Sequence, residues 1–224
     1  MKYRWLLFDA DDTLFDYPAA EAQALRLTFE QSGAVYLPEY LEIYKTYNRQ
    51  VWREYESSRI SAVELRTKRF RLLFEEIGLW LDPQAVSPQY LRNLARGSQL
   101  LDGAKEVLET LHTRYRMALV TNGLADVQRP RLDFSLIRDC FEHVFISEEI
   151  GAAKPEKAYF DAVFQTIGNP PENEVLIIGD SLTADMQGGL NYGMDTCWYN
   201  PKQATVTLPV TYQITELMEL LSFL

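Results

Sequence analysis

The sequence contains two cysteines and two histidines among 224 residues. Cys140 and Cys197 are far apart, and each lies in or beside an apolar run, which favours reduced core thiols over a disulfide framework. Neither has a second sulfur nearby at the spacing of a zinc site. His112 and His143 are expected at a helix end and a strand start, where a structural role is commoner than a catalytic one. A disulfide-stabilised or zinc-dependent protein is therefore not indicated.

Long apolar runs are also missing. No stretch approaches the roughly 20 apolar residues that a membrane helix needs, and the apolar run near the N-terminus is too short for a signal peptide. We therefore expect a cytoplasmic protein with no membrane partner.

Positive charge is scarce as well. The 22 Lys and Arg residues against 32 Asp and Glu give a net charge of −10, which argues against a nucleic acid polymer or an anionic membrane surface as partner. A small phosphorylated substrate remains possible if a bound cation and nearby basic residues offset this field. The 47% apolar content and the chain length fit one large globular domain or two small ones. We expect a monomer or a weak homodimer.

The first predicted element is a strand that ends in acidic residues. The continuous apolar run from Trp5 to Phe8 is typical of a strand buried on both faces of a parallel sheet, and Asp9, Asp11 and Asp12 follow it. Carboxylates at one strand end repel each other, and a divalent cation usually compensates them. Asp9 and Asp11 leave an extended chain on the same side, so one can act as nucleophile and the other as proton carrier. The alternative is an acidic loop without catalytic function.

Residues 16–97 are predicted to be entirely helical. Apolar and aromatic residues recur at steps of three and four, which is typical of one face of a helix: Tyr40, Tyr44, Tyr47, Val51 and Tyr55. This pattern favours a face buried in the unit's own core, and the alternative is a surface that stacks a base. Predicted helix starts are Asp16 with Pro18, the capping box Ser61 with Glu64, Asp82-Pro83 and Ser87-Pro88, and predicted helix ends are Gly33 and Gly78.

From residue 98 onwards, strands and helices alternate. Predicted strands are 117–120, 143–146, 175–178 and 196–199, and predicted helices are 104–111, 125–137 with a break near Pro130, 155–167 and 183–191. Such alternation indicates βαβ units and a parallel sheet with helices on both faces, which the first strand would join. We therefore predict an α/β fold, a Rossmann-like doubly wound core of residues 1–15 and 98–224, with an all-helical domain, 16–97, inserted into it.

Polar residues follow each of the first four predicted strands. After Asp9 and Asp11 come Thr121-Asn122-Gly123, then Lys154 before Pro155, and finally Gly179-Asp180 with Asp185. Ligands of open α/β sheets bind beyond the carboxyl ends of the strands. Each cluster alone is a weak signal, but four in succession predict one site.

This ordered set resembles the haloacid-dehalogenase superfamily of phosphohydrolases, and the helical insertion stands where that family places a helical cap. The resemblance implies that Asp9 is the nucleophile, which forms an aspartyl-phosphate, and that Asp11 is the acid and base. It implies that Thr121 and Lys154 contact the phosphoryl group, for which we also expect Asn122 as a binding residue. It further implies Mg²⁺ held by Asp9, by the backbone carbonyl of Asp11 and by Asp180, with Asp185 as a ligand or a support.

The sequence departs from the family pattern at one position, where Asp12 replaces the usual glycine. The run from Asp9 to Asp16 resembles the branch that contains bacterial pyrimidine 5′-nucleotidases, which implies a nucleoside 5′-monophosphate substrate. We expect Asp12 to point away from the phosphate, because a further charge beside the metal would oppose substrate binding.

Other activities of the same fold remain open. A sugar-phosphate or phosphoglycolate phosphatase would share all four motifs. A dehalogenase would not need the acid Asp11, and a phosphomutase typically has a cap histidine, which residues 16–97 lack. A non-catalytic binding module is the remaining alternative, and it would not require the complete motif set.

Overall fold

We describe a computed structural model of the chain, over residues 2–57, 59–205 and 208–224. By internal contacts the chain divides into two compact units, one of residues 1–17 and 98–224 and the other of residues 18–97. Within the described residues, no helix is both long and apolar enough to cross a membrane.

The larger unit contains a parallel six-stranded sheet in the order β3-β2-β1-β4-β5-β6. Its strands are β1 (Trp5–Phe8), β2 (Arg116–Thr121), β3 (His143–Ile146), β4 (Val175–Gly179), β5 (Asp195–Tyr199) and β6 (Tyr212–Ile214). The chain runs outwards from β1 to β3 on one side and from β4 to β6 on the other. The point where this order reverses lies between β1 and β4, which is where ligands bind in such sheets.

Helices cover both faces of this sheet, because alternate strand residues point to opposite faces. In β1, Leu6 and Phe8 belong to a core that includes α5 (Ala104–Leu111), whereas Trp5 and Leu7 belong to a core that includes α8 (Lys157–Ile167). The predicted doubly wound α/β core is confirmed. The remaining α-helices in the described part of this unit are α6 (Ala125–Asp133), α7 (Ser147–Ile150) and α9 (Gln187–Tyr192), and three short 3-10 helices cover Arg138–Cys140, Glu172–Glu174 and Leu217–Ser222.

The smaller unit is helical, as its sequence predicts. Its helices are α1 (Tyr17–Gln31), α2 (Glu39–Glu56), α3 (Ala62–Ile77) and α4 (Pro83–Ala95). The capping box at Ser61 and the left-handed Gly78 (φ 66°) bound α3 as expected. From the aromatic stripe, Tyr44 and Val51 are fully buried, and Tyr44 packs against Phe70, so these two belong to the unit's own core.

Two predictions based on proline are wrong. Ser87-Pro88 does not start a new helix, because α4 continues through Pro88. There the Ser87 hydroxyl donates to the Arg66 carbonyl of α3 at 2.7 Å, so tertiary packing overrides the local signal. Pro130 does not break α6 either, since that helix ends only at Asp133.

The region after β4 also differs from its prediction. The single helix expected over 183–191 is a π-turn, Leu182–Met186, followed by α9. A sixth strand, β6, which the sequence does not predict, pairs with β5.

Candidate active site

Asp9 and Lys154 are in direct contact at the carboxyl edge of the sheet. Asp9 follows β1, and its Oδ1 lies 2.6 Å from Nζ of Lys154, although 145 positions separate the two in the sequence. Nζ also donates to Oδ1 of Asp185 at 2.6 Å and to the Val120 carbonyl at 2.9 Å. Both side chains of the Lys154–Asp185 pair are almost completely buried. The lysine is thus fixed by three acceptors that come from three different strand ends.

Asn122 holds the backbone of Lys154. Its Oδ1 accepts the Lys154 N–H and its Nδ2 donates to the Lys154 carbonyl, both at 2.8 Å. This reciprocal pair joins the loop after β2 to the loop before α8. The Asn122 side chain is therefore engaged with Lys154, and the phosphate-binding role predicted for this residue would fall to its backbone.

Asp9, Asp180 and Asp185 form a carboxylate cluster. One oxygen from each lies within 4.8 Å of the others, and Asp185 is completely buried. Three carboxylates beside one ammonium leave an excess of two negative charges when all are ionised. A divalent cation with oxygen ligands would cancel that excess. The donor set therefore fits such an ion.

The pKa values of Asp9 and Asp180 are raised, which is consistent with this excess of negative charge. Burial, partly opposed by the Lys154 ammonium, raises the pKa of Asp9 well above its usual range. Burial and the neighbouring Asp185 raise the pKa of Asp180 to about 7. Burial opposes the charge of Lys154, but Asp185 and Asp9 outweigh it and raise the pKa of Lys154. The lysine therefore stays charged. The raised pKa values of the two carboxyl groups mean that further positive charge would favour their ionised forms.

Gly179 and Thr13 shape the cluster. A Cβ on Gly179 would stand 2.3 Å from Oδ2 of Asp185, so only glycine lets the π-turn bring that carboxylate over the end of β4. The hydroxyl of Thr13, which is completely buried, donates to Oδ2 of Asp9 at 3.2 Å and accepts the Asp180 N–H at 3.0 Å. Thr13 thereby ties the end of β1 to the end of β4. No role for Thr13 is predicted from the sequence.

Asp11 faces another partner. Its Oδ1 pairs with Nη1 of Arg131, and its Oδ2 accepts from Nε2 of Gln128 at 2.6 Å. Both partners lie on α6. Sequence reasoning missed them, because an arginine and a glutamine in a helix ordinarily face solvent.

The next residue, Asp12, has a left-handed backbone with φ 60°. Burial, together with Asp11, raises the pKa of Asp12 to about 6. Its N–H donates to the Phe15 carbonyl at 3.0 Å, which closes the turn after β1.

The other predicted site residue, Thr121, ends β2 and is buried. Its Oγ1 accepts the Gly123 N–H at 3.0 Å, so the hydroxyl caps the turn that leads to α6. The two histidines lie at a helix end and a strand start, as predicted. Nδ1 of His112 lies 3.1 Å from the Leu108 carbonyl, and His143 packs on Trp5.

Comparisons with known proteins agree with this architecture. A model of the haloacid dehalogenase-like hydrolases matches residues 3–193, and the chain belongs to that family. The predicted family is thereby confirmed, and the protein is a hydrolase.

Three relatives match over nearly the whole chain. The HAD-hydrolase YfnB of Bacillus subtilis is 41% identical over 98% of this chain and 94% of its own. A crystal structure of YfnB bound to magnesium superposes with a TM-score of 0.92 at 40% identity, over 99% of this chain and 98% of that one. Pyrimidine 5′-nucleotidase PynA of Streptococcus pneumoniae is 38% identical over 100% of this chain and 96% of its own. Pyrimidine 5′-nucleotidase YjjG of Escherichia coli is 31% identical over 98% and 97%.

Proposed function

We propose that this protein is a magnesium-dependent phosphomonoester hydrolase that acts through an aspartyl-phosphate on Asp9. The position of the Asp9 carboxylate carries the proposal. It lies 2.6 Å from the Lys154 ammonium and belongs to a cluster with Asp180 and Asp185. The Lys154 ammonium beside this nucleophile offsets part of the negative charge that an approaching phosphate dianion adds, and a divalent cation would offset the rest.

The reaction would proceed in two displacements. In the first, an Asp9 oxygen attacks phosphorus and the ester P–O bond breaks, while Asp11 gives its proton to the leaving oxygen. In the second, water attacks the phosphorus and the bond between phosphorus and the Asp9 oxygen breaks, while Asp11 takes a proton from the water. Phosphate leaves, and Asp9 and Asp11 return to their starting states. Dividing the transfer between two steps lowers each barrier.

The remaining residues would position and neutralise the phosphoryl group. Lys154 offsets charge on Asp9 and on the transferred oxygens, and the Thr121 hydroxyl and the Asn122 backbone bind those oxygens. Mg²⁺ would be held by Asp9, the Asp11 carbonyl and Asp180, supported by Asp185, and it would supply charge cancellation on the phosphoryl oxygens. The magnesium-bound structure of YfnB supports this choice of ion.

For the substrate, we propose a nucleoside 5′-monophosphate with a pyrimidine base. The names of PynA and YjjG support it, since this chain is 38% and 31% identical to them over nearly its full length. We further propose that the helical unit, residues 18–97, is the cap that selects the substrate. Lids and caps commonly do so by adding side chains to the site from outside the catalytic core.

The test is phosphate release from a panel of monophosphates, measured with magnesium and with excess chelator. The panel holds dTMP, dUMP, UMP, purine nucleotides, phosphoglycolate and sugar phosphates. We expect magnesium-dependent turnover that is fastest with the pyrimidine nucleotides. Asp9→Asn should lower kcat at least about a thousandfold, because it removes the nucleophile. Asp133→Asn, a matched control on an exposed carboxylate, should leave kcat unchanged.

Each other outcome has a distinct meaning. A preference for phosphoglycolate or a sugar phosphate would retain the mechanism and replace the substrate. Turnover that persists in chelator would contradict the role of magnesium. No release from any compound, with the protein folded, would refute the phosphatase proposal.

A further inference from the structure

The carboxylate of Asp11 is held from both sides by helix α6. One oxygen pairs with Nη1 of Arg131 and the other accepts from Nε2 of Gln128 at 2.6 Å. The three residues belong to the same compact unit, but 117 and 120 positions separate Asp11 from its two partners.

Burial shows that these partners are part of the interior. The Arg131 side chain is completely buried and Gln128 is 2% exposed, whereas the Asp11 side chain keeps 28% of its surface accessible. The guanidinium of Arg131 also lies 5.6 Å from the ring centre of Phe15 and 6.0 Å from that of Tyr17. A buried guanidinium needs a carboxylate partner, since an unpaired one would be strongly destabilising. Of these three residues, Asp11 is the one with accessible surface that a substrate can reach.

Gly123 gives Gln128 its path to Asp11. A Cβ at position 123 would stand 2.2 Å from Nε2 of Gln128 and 2.8 Å from its Cγ. The glycine that follows Thr121 and Asn122 thus makes room for the glutamine side chain. The loop after β2 and the first turns of α6 thus leave the space in which Gln128 extends to Asp11.

We propose that Arg131 and Gln128 are positioning residues, which fix the orientation of the Asp11 carboxylate for proton transfer. The proposal rests on the function proposed above, in which Asp11 is the acid and base. A carboxylate with one donor on each oxygen cannot rotate about its side-chain bonds without losing a hydrogen bond. Such fixed orientation is what proton transfer to a leaving oxygen demands, since small misplacements of a reacting group cost large factors in rate.

The test separates proton transfer from the rest of the reaction by choice of leaving group. p-Nitrophenyl phosphate releases a stable anion that needs no proton, whereas an alkyl phosphomonoester such as a nucleotide releases an alkoxide that does. Because kcat/KM reports binding and the steps up to the first irreversible one, it includes departure of the leaving group and excludes hydrolysis of the aspartyl-phosphate. Arg131→Gln and Gln128→Leu should therefore lower kcat/KM for the best nucleotide by about 10- to 100-fold. For p-nitrophenyl phosphate, kcat/KM should stay within about threefold while kcat falls, because the second displacement still needs Asp11 as base.

Controls come from the same helix. Arg129 lies two positions from Arg131 on α6 but forms an exposed pair with Glu149, so Arg129→Gln should match the wild type with both substrates. In an Asp11→Asn background, Arg131→Gln and Gln128→Leu should produce no further loss, because residues that act through Asp11 have nothing left to position. Gly123→Ala should reproduce the pattern of Gln128→Leu, since it displaces the same side chain.

Several results would overturn the inference. An equal loss of kcat/KM with both substrates would indicate a structural role, as would additive losses in the Asp11→Asn background. Wild-type rates in the variants would show that Asp11 needs no support. If Arg131→Gln does not fold, Gln128→Leu decides by the same criteria. A wild-type protein that releases no phosphate would refute the proposed function, whereas an active wild type with unaffected variants would refute this inference alone.

Discussion

Replacing Asp180 by asparagine should stabilise the protein at neutral pH when metal is withheld. Burial and Asp185 raise the pKa of Asp180 from 3.8 to about 7, so folding favours its protonated form. A group whose pKa is higher in the folded state contributes stability below its unfolded pKa and loses it as the pH rises through the folded value. The window of loss therefore runs from about pH 4 to about pH 7, and a difference of about three pKa units corresponds to about 4 kcal/mol.

Asparagine resembles the protonated acid and does not titrate. In excess chelator, the free energy of unfolding of Asp180→Asn should thus equal that of the wild type near pH 4. At pH 7.5 it should exceed the wild-type value by up to about 4 kcal/mol. Urea titrations at several pH values measure this difference. A variant that is less stable than the wild type at pH 7.5 in chelator would refute the reasoning.

Magnesium should reverse the order of the two proteins. An ion that binds only the folded state stabilises it according to its concentration relative to Kd. The wild type keeps the ligand oxygens of Asp180, so we expect its unfolding midpoint to rise with magnesium far more than that of the variant. Equal responses of the two proteins to magnesium would remove Asp180 from the proposed metal site.

The remaining predictions concern Lys154 and Asp12. Lys154→Met should abolish turnover and, in chelator near pH 7.5, lower the free energy of unfolding by about 3–5 kcal/mol, because it leaves Asp9 and Asp185 buried without their ammonium. The exposed Lys157→Met serves as its control, and a loss no larger than that of this control in urea titrations would contradict the argument. Asp12→Asn should keep kcat within about threefold, because asparagine tolerates a left-handed backbone, whereas Asp12→Val should lower stability by about 1–3 kcal/mol. An inactive but folded Asp12→Asn protein would place Asp12 in the chemistry.

The strands that could be predicted from the sequence are those whose apolar run ends in polar residues. β1, β3 and β4 follow their predicted bounds within one residue, and the clusters behind them supply Asp9, Lys154 and Asp180. β6 was not predictable, because a three-residue strand, Tyr212–Ile214, has too short a pattern to show alternation. It is defined by pairing with β5, which is a tertiary contact.

Asp185 illustrates how local geometry limits prediction from sequence. Its position after Gly179-Asp180 marks it as a site residue, but in a regular helix it would be one acid on an exposed first turn. The π-turn and the missing side chain of Gly179 bring it inwards, where it contacts Lys154 at 2.6 Å. The motif thus names the residue, and the backbone determines what it touches.

Arg131 and Gln128 could not be identified from one sequence at all. Both lie on α6, which continues past Pro130 although the sequence predicts a break there. Arg131 is the residue directly after that proline. Had α6 ended at Pro130, Arg131 would not keep its place one turn beyond Gln128 on the helix. The wrong prediction for the helix therefore also hid the position of Arg131, whereas Gln128, which precedes Pro130, was missed only because a helical glutamine ordinarily faces solvent.

The backbone conformation at position 12 explains why an aspartate can replace glycine there. The family pattern has glycine at this position, and the structure shows why, since φ is 60°. Glycine adopts that conformation without cost, and aspartate is among the few other residues that do so readily. The position is thus constrained by the turn that carries the chain from Asp9 to Thr13, and the Asp12 N–H closes this turn on Phe15. An acid can stand here because the backbone accepts it, and burial together with Asp11 raises its pKa to about 6.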